Sequence, residues 1–233
     1  MDRDDQAPPP ALPPIDPSAA GAVPASSLTP ELLASLLADG DDELAAWTLR
    51  HALAEMPRAR VFDTLVADAM RLVGDRWLSG EWSIADEHFA SQTLTRALDA
   101  IRPAGGPSTR IGPLAVLAAP SGEHHQLGLI CLEQCLVEAG WQVANLGADV
   151  PASDLGGFVA ERRPAMVALA ATSADRAAEA LRGIGAVRAV DPAIPIALGG
   201  RLGGTPGARD TFGVSWAGTT IEGLLAYAAS IRG

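Results

Sequence analysis

Five short apolar runs in the second half of the chain restrict its fold more than any other feature: Leu114–Ala119, Gln142–Leu146, Met166–Ala171, Ile194–Leu198 and Val214–Ala217. Each is of strand length. Stretches of helical period separate and follow them, which predicts five strand–helix units and a mostly parallel, doubly wound sheet. The expected architecture is therefore Rossmann-like, of the flavodoxin-like kind. Sheets of this type take ligands at the carboxyl ends of their strands, so the loops after the strands are the places to look for chemistry.

The preceding part, Leu28 to Arg102, shows helical patterning throughout. Thr29-Pro30-Glu31 supplies a capping hydroxyl, a proline at the first helical position and an acid in the first turn. Leu32, Leu33, Leu36 and Leu37 follow at helical spacing up to Asp39-Gly40. A second helix carries Leu44, Trp47 and Leu53 and breaks at Pro57. A third runs from about Arg58 to Leu78 with Phe62, Leu65, Val66, Ala69, Met70, Val73 and Trp77 on one stripe. Ser83 caps a fourth, which Pro103 closes. Short turns join the four, the plan of a small four-helix bundle. On the fourth helix the stripe of Ile84, Leu94, Leu98 and Ile101, continued backwards, reaches Glu87 and His88. Ionisable groups on a core stripe need a partner, water or a ligand.

Residues 1–27 are rich in Pro and Ala and read as a disordered tail. Residues 104–109 read as a linker, which divides the chain into a tail at 1–27, a bundle at 28–103 and a sheet domain at 110–233. Charge narrows the function. The net charge is −11 and all 17 basic residues are arginines, a poor match to a polyanion, because phosphate contacts supply most nucleic-acid affinity. Apolar runs fall short of a membrane span and no signal stretch leads the chain, so neither direct nucleic-acid binding nor a membrane is expected. The expected location is cytoplasmic. Cys131 and Cys135 lie four apart on one helix face, too few for a metal site and poorly placed for a disulfide. They read as small buried hydrophobes.

The loop after the first strand is Ser121-Gly122-Glu123-His124-His125-Gln126-Leu127-Gly128. Pro120 and Gly122 stop the strand, and a helical stretch from Leu129 to Ala139 follows. A carboxylate two residues before an imidazole can hold one ring nitrogen and leave the other for a metal. Two neighbouring histidines in a polar loop can equally be solvated side chains. After the fourth strand comes Gly199-Gly200-Arg201-Leu202-Gly203-Gly204, glycine-rich but not the dinucleotide fingerprint.

Glu123-x-His125-x-x-Gly128 resembles the Asp-x-His-x-x-Gly cobalamin-binding motif, in the Glu-x-His variant of the CarH/LitR light-sensing transcription factors. The resemblance implies that His125 is the lower axial ligand of cobalt, with Glu123 orienting it. His124 matches no ligand position and is expected to be exposed. Trp77, nine residues, then Glu87-His88 resembles the Trp-x9-Glu-His signature of the same family. It implies that the bundle caps the upper face of the corrin, with Trp77, Glu87 and His88 around an adenosyl group and Trp82 left to packing. In that family the position after the tryptophan is a histidine, and here it is Leu78, which cannot ligate cobalt. Thr172 and Ser173 stand where the family meets the displaced base of the nucleotide tail. Gly199 and Gly200 stand where the tail lies against bare backbone.

The resemblance thus implies a four-helix bundle cap followed by a Rossmann-like cobalamin-binding domain, in a stand-alone sensor module without the MerR-type DNA-binding domain. It implies a light-sensing regulator rather than an enzyme. Its expected cofactor is adenosylcobalamin, with methylcobalamin or hydroxocobalamin as alternatives. The expected partner is a separate transcription regulator or another protein, with homo-oligomers allowed. Two alternatives stay open: a corrinoid-carrying subunit of a methyltransferase system, and a cobalamin-responsive antirepressor.

Overall fold

A computed structural model describes residues 28–103 and 112–232. The expected tail at 1–27 and the linker at 104–109 lie outside the described residues. Helix α1 (Pro30–Asp39) starts as its sequence dictates, with the Thr29 hydroxyl accepting the Leu32 N–H. Helix α2 (Asp42–Glu55) is capped by Asp41, whose carboxylate accepts the Leu44 N–H at 2.9 Å. The third rod is not uniform. It runs as α3 (Arg58–Val61), a π-helical turn at Phe62–Val66, and α4 (Ala67–Leu78). Helix α5 (Ile84–Ala100) opens with a capping box in which Ser83 and Asp86 satisfy each other's backbone N–H.

These helices bury Leu33, Leu37, Leu49, Phe62, Val73, Leu94 and Leu98 in a shared core. One expectation fails here. The buried face of α5 is Ala90, Thr93, Leu94, Ala97 and Leu98, whereas Ile84 is 58 % exposed and Glu87 and His88 are off the core. Ile84, Glu87 and His88 share a second face of α5 with Ser91 and Thr95, turned away from the face that meets the core.

The sheet comprises β1 (Leu114–Ala118), β2 (Gln142–Asn145), β3 (Met166–Ala170), β4 (Ile196–Gly199) and β5 (Trp216–Ala217), all parallel, in the order β2-β1-β3-β4-β5. That is the flavodoxin-like order, with its switch point between β1 and β3. The last two strands are shorter than the apolar runs suggested. Pro195 lacks an N–H, and Val214, though buried, precedes the ladder. Helices α6 (Leu127–Glu138), α7 (Ala152–Arg162), α8 (Ala177–Val190), α9 (Gly200–Gly203), α10 (Ala208–Phe212) and α11 (Ile221–Arg232) complete the units. Alternate residues of each strand serve the two faces: Val116, Val167 and Ile196 pack with α7 and α8, while Leu117, Met166 and Ala197 pack with α6 and α11.

Bundle and sheet share a boundary built from α6 and α11. Cys131 and Cys135 of α6 join the bundle core; both are free and buried. Burial pushes the Cys131 thiol far up and the Cys135 thiol to about 12, so neither is a thiolate at neutral pH. Arg58 donates to Gln134 Oε1 (3.0 Å) and to the Ile101 carbonyl (3.1 Å), and Gln134 donates to the Leu98 carbonyl (2.9 Å). Asp63, in the π-helical turn, accepts the N–H groups of Ile221 (2.7 Å) and Glu222 (2.9 Å). A bundle carboxylate therefore caps the first turn of a sheet-domain helix, a site its negative charge suits. Among the described residues no helix is long and apolar enough to cross a membrane.

Candidate functional site: a cavity between bundle and sheet

The bundle lies over the carboxyl edge of the sheet, and a cavity of about 900 Å³ remains between them. This is near the upper end of ordinary ligand pockets. Its upper wall includes Trp77, Leu78, Ile84, Glu87, His88 and Ser91; its lower wall includes His124, His125, Gly128, Thr172, Gly199 and Gly200. The cavity also runs inward along residues that are themselves buried, among them Leu129, Leu132, Ala168, Leu169 and Leu224. Its lining thus extends from the bundle to the sheet and the helices α6 and α11.

The lower wall is organised by Glu123, whose side chain is only 2 % exposed. Its Oε1 accepts His125 Nδ1 at 2.6 Å and the His125 N–H at 3.1 Å. Its Oε2 accepts the Thr172 N–H at 2.7 Å and the Thr172 hydroxyl at 2.8 Å. Burial pushes the carboxyl up, but the Thr172 backbone, the His125 ring and the remaining donors outweigh it and hold it at about 2. An ionised carboxylate only accepts, so His125 Nδ1 carries the proton and Nε2 presents its lone pair. The imidazole side chain is 71 % exposed and lines the cavity. A buried anchor thus holds a presented base.

Thr172 acts differently from expectation. Its hydroxyl and N–H both serve Glu123, and its Oγ1 lies 3.0 Å from His125 Nδ1. It is part of the histidine's support before it is anything to a ligand's tail. Ser173 is not among the cavity-lining residues; its hydroxyl accepts the Asp175 N–H. Asp149, in the turn before Pro151, supports the His125 loop. At φ 57°, it accepts the Gly122 N–H at 2.7 Å and donates its own N–H to the Glu123 carbonyl at 3.0 Å, tying the histidine loop to the loop after β2. An aspartate before Val-Pro at a turn was its only signal.

The upper wall repeats the theme. Glu87 Oε2 accepts His88 Nδ1 at 2.6 Å, and Glu87 Oε1 accepts the Ser91 hydroxyl at 2.8 Å. The His88 side chain is 69 % exposed. A hydroxyl–carboxylate–imidazole set therefore stands on each side of one cavity. Trp77 is 44 % exposed and Leu78 72 % exposed, large apolar surfaces turned to the same space. Trp82 is partly buried against the bundle core, with the Arg76 guanidinium 5.1 Å from its ring centroid. His124 is exposed at the cavity rim.

The glycines divide into two kinds. At Gly128 an added Cβ would meet nothing within 4 Å, so the space beside it belongs to the cavity. Gly200 is required by the chain itself: its φ is +75° and a Cβ would fall 2.4 Å from the Ala171 carbonyl oxygen. Among the described residues no three His, Cys, Asp or Glu side chains gather as a metal cage. One presented imidazole cannot hold a bare ion, but it suits a metal that arrives inside its own macrocycle.

Two family models, each described as a B12 binding domain, match residues 31–102 and 113–222. The chain belongs to the B12-binding proteins. Within that family it is 42 % identical over 123 residues to the HTH-type transcriptional repressor CarA of Myxococcus xanthus, a match covering 50 % of this chain and 40 % of the relative. It is 38 % identical over 132 residues to the HTH-type transcriptional repressor CarH of the same organism, covering 56 % and 43 %. The chain thus matches less than half the length of these relatives. The Methanosarcina barkeri monomethylamine corrinoid protein shares the fold, with a TM-score of 0.72 at 15 % identity over 89 % of this chain and all of that one. The B12-binding family accounts for the helical cap and the parallel sheet together. The cavity residues fit a corrinoid: an imidazole held by a buried carboxylate, an open glycine beside it, and a lining that reaches the buried residues of the sheet domain.

Proposed function

We propose that this B12-binding protein holds adenosylcobalamin with its own base displaced, His125 Nε2 as the lower ligand, and the bundle as a lid. The proposal makes it a light-responsive regulator rather than an enzyme. The observation that carries it is the Thr172–Glu123–His125 chain opposed, across one cavity, by Trp77, Glu87 and His88. When bound, the cofactor would supply a cobalt–carbon bond that green or blue light breaks. The chain's residues do the rest. Glu123 fixes the tautomer and direction of His125, and the inward part of the cavity accepts an elongated tail alongside Gly199. Trp77 and Ile84 shield the upper space from water, and Glu87 keeps lone pairs for sugar hydroxyls. A lid held partly by what lies beneath it has two arrangements that differ in contact with the ligand, the requirement for a switch.

With a net charge of −11, output through a separate DNA-reading protein or another protein partner is favoured over direct DNA contact, and a change of self-assembly is compatible with it. Reconstitution in darkness, with spectra before and after green light, tests the reading. A light-dependent spectral change is expected in the wild type, and His125→Ala should lose the histidine-ligated spectrum while still folding. A light-insensitive spectrum would overturn the sensor and leave a vitamin-responsive antirepressor, provided hydroxocobalamin acts equally in dark and light. The fold shared with a corrinoid protein keeps the methyl-carrier reading in play. It requires preferential retention of methylcobalamin and transfer of the methyl group to an acceptor.

A further inference from the structure

The cavity holds a charge that the proposed binding mode does not use. Arg201 is the only lysine or arginine among the residues lining the cavity, and it is exposed there. Its backbone is pinned. Gly200 before it has a φ of +75° and no room for a Cβ beside the Ala171 carbonyl. Leu202 after it is 5 % exposed and donates its N–H to that same carbonyl at 3.0 Å. The side chain, by contrast, has no ion pair or hydrogen bond among the described residues.

Two carboxylates, Asp63 and Glu87, line this cavity, and a third, Glu123, is buried behind its lower wall; each is already engaged. Asp63 takes the two N–H groups of α11, Glu87 takes Ser91 and His88, and Glu123 takes Thr172 and His125. The guanidinium is therefore left facing an incoming ligand, in a cavity whose other fixed charges are negative. Such a place admits an anion only through this residue, and guanidinium geometry matches the paired oxygens of a phosphate.

Resting on the cobalamin reading of the cavity, we propose that Arg201 pairs with the phosphodiester of the cofactor's nucleotide tail and makes the site select complete cobalamins over tailless corrinoids. In the binding mode proposed above the tail would pass Gly199, two residues before, which lines the same cavity as Arg201. The pair is partly solvated, so the effect is selective rather than absolute. A charge-assisted hydrogen bond of this kind corresponds to roughly a tenfold change in affinity.

The experiment measures dissociation constants by calorimetry, in darkness, for hydroxocobalamin and for diaquocobinamide, which has the same ring but no phosphodiester. Wild type, Arg201→Gln and Arg201→Lys are compared at low and high salt. Arg201→Gln should weaken hydroxocobalamin roughly tenfold and leave cobinamide unchanged, with Arg201→Lys between them. The wild-type preference should shrink as salt rises. Equal weakening of both corrinoids, or no weakening of hydroxocobalamin, overturns the inference. Failure of the wild type to bind hydroxocobalamin at all would sink the cavity reading instead. Those two failures are distinct.

Discussion

Replacing Glu123 by glutamine tests whether the buried carboxylate organises the site. In the folded chain its carboxyl is held at about 2 against an ordinary 4.5. A gap of that size is worth about 3 kcal/mol, at about 1.4 kcal/mol per pH unit. With the side chain 2 % exposed, solvent screening removes little of it. A carboxyl whose folded-state value is depressed contributes fully above its unfolded value. The contribution is then lost as pH falls from near 4.5 through about 2. Glutamine has no such dependence, and its amide NH2 must face a donor, either a backbone N–H or the His125 ring. Urea unfolding of both proteins from pH 7 to pH 2 reads the difference. The wild type should be more stable by about 2–3 kcal/mol at pH 7, and the margin should close to under about 1 kcal/mol at pH 2. A margin that stays constant across this range would refute the assignment of Glu123 as an ionised, fully bonded anchor.

Two further substitutions probe the frame around it. Gly200→Ala combines a positive φ with a Cβ 2.4 Å from the Ala171 oxygen, and should destabilise by about 1–3 kcal/mol in thermal or urea unfolding; an unchanged midpoint would show that the loop relaxes freely. Asp63→Ala removes both acceptors at the start of α11 and should cost about 1–2 kcal/mol. It should also raise hydrogen exchange at Ile221 and Glu222, and protection equal to wild type there would mean the cap is not what joins bundle to sheet.

Most of the fold was legible because its signals are local. Five strand-length runs, Thr29-Pro30-Glu31 and the Ser83 cap each encode their structure within a few residues. What escaped the sequence depends on partners far along the chain. The π-helical turn at Phe62–Val66 has no composition signature, yet it contains Asp63, which reaches across more than a hundred and fifty residues to cap α11. Thr172 and Asp149 support the His125 loop from the ends of other strands. Nothing near either residue in sequence mentions that loop. Periodicity also joined Ile84, Glu87 and His88 to the core stripe of α5, because two adjacent faces of one helix differ by only a residue in spacing.

That overreach is informative. Glu87 and His88 looked anomalous because an apolar stripe led up to them, and stripes mark what a helix packs against. Here two faces of the helix have different partners. Ala90, Thr93, Leu94, Ala97 and Leu98 meet the other bundle helices, whereas Ile84, Glu87, His88, Ser91 and Thr95 border the cavity. Exposed Ile84, Trp77 and Leu78 line that same cavity. So large an apolar surface is costly to leave in water, at about 25 cal/mol for each Å², and covering it with a ligand's apolar surface recovers that cost. The polar pair set within that surface supplies hydrogen-bonding groups where a purely hydrocarbon filler would have no use for them. A helix face that is apolar around one carboxylate–imidazole pair is therefore a surface shaped for an amphipathic ligand, with His125 on the other wall of the same cavity.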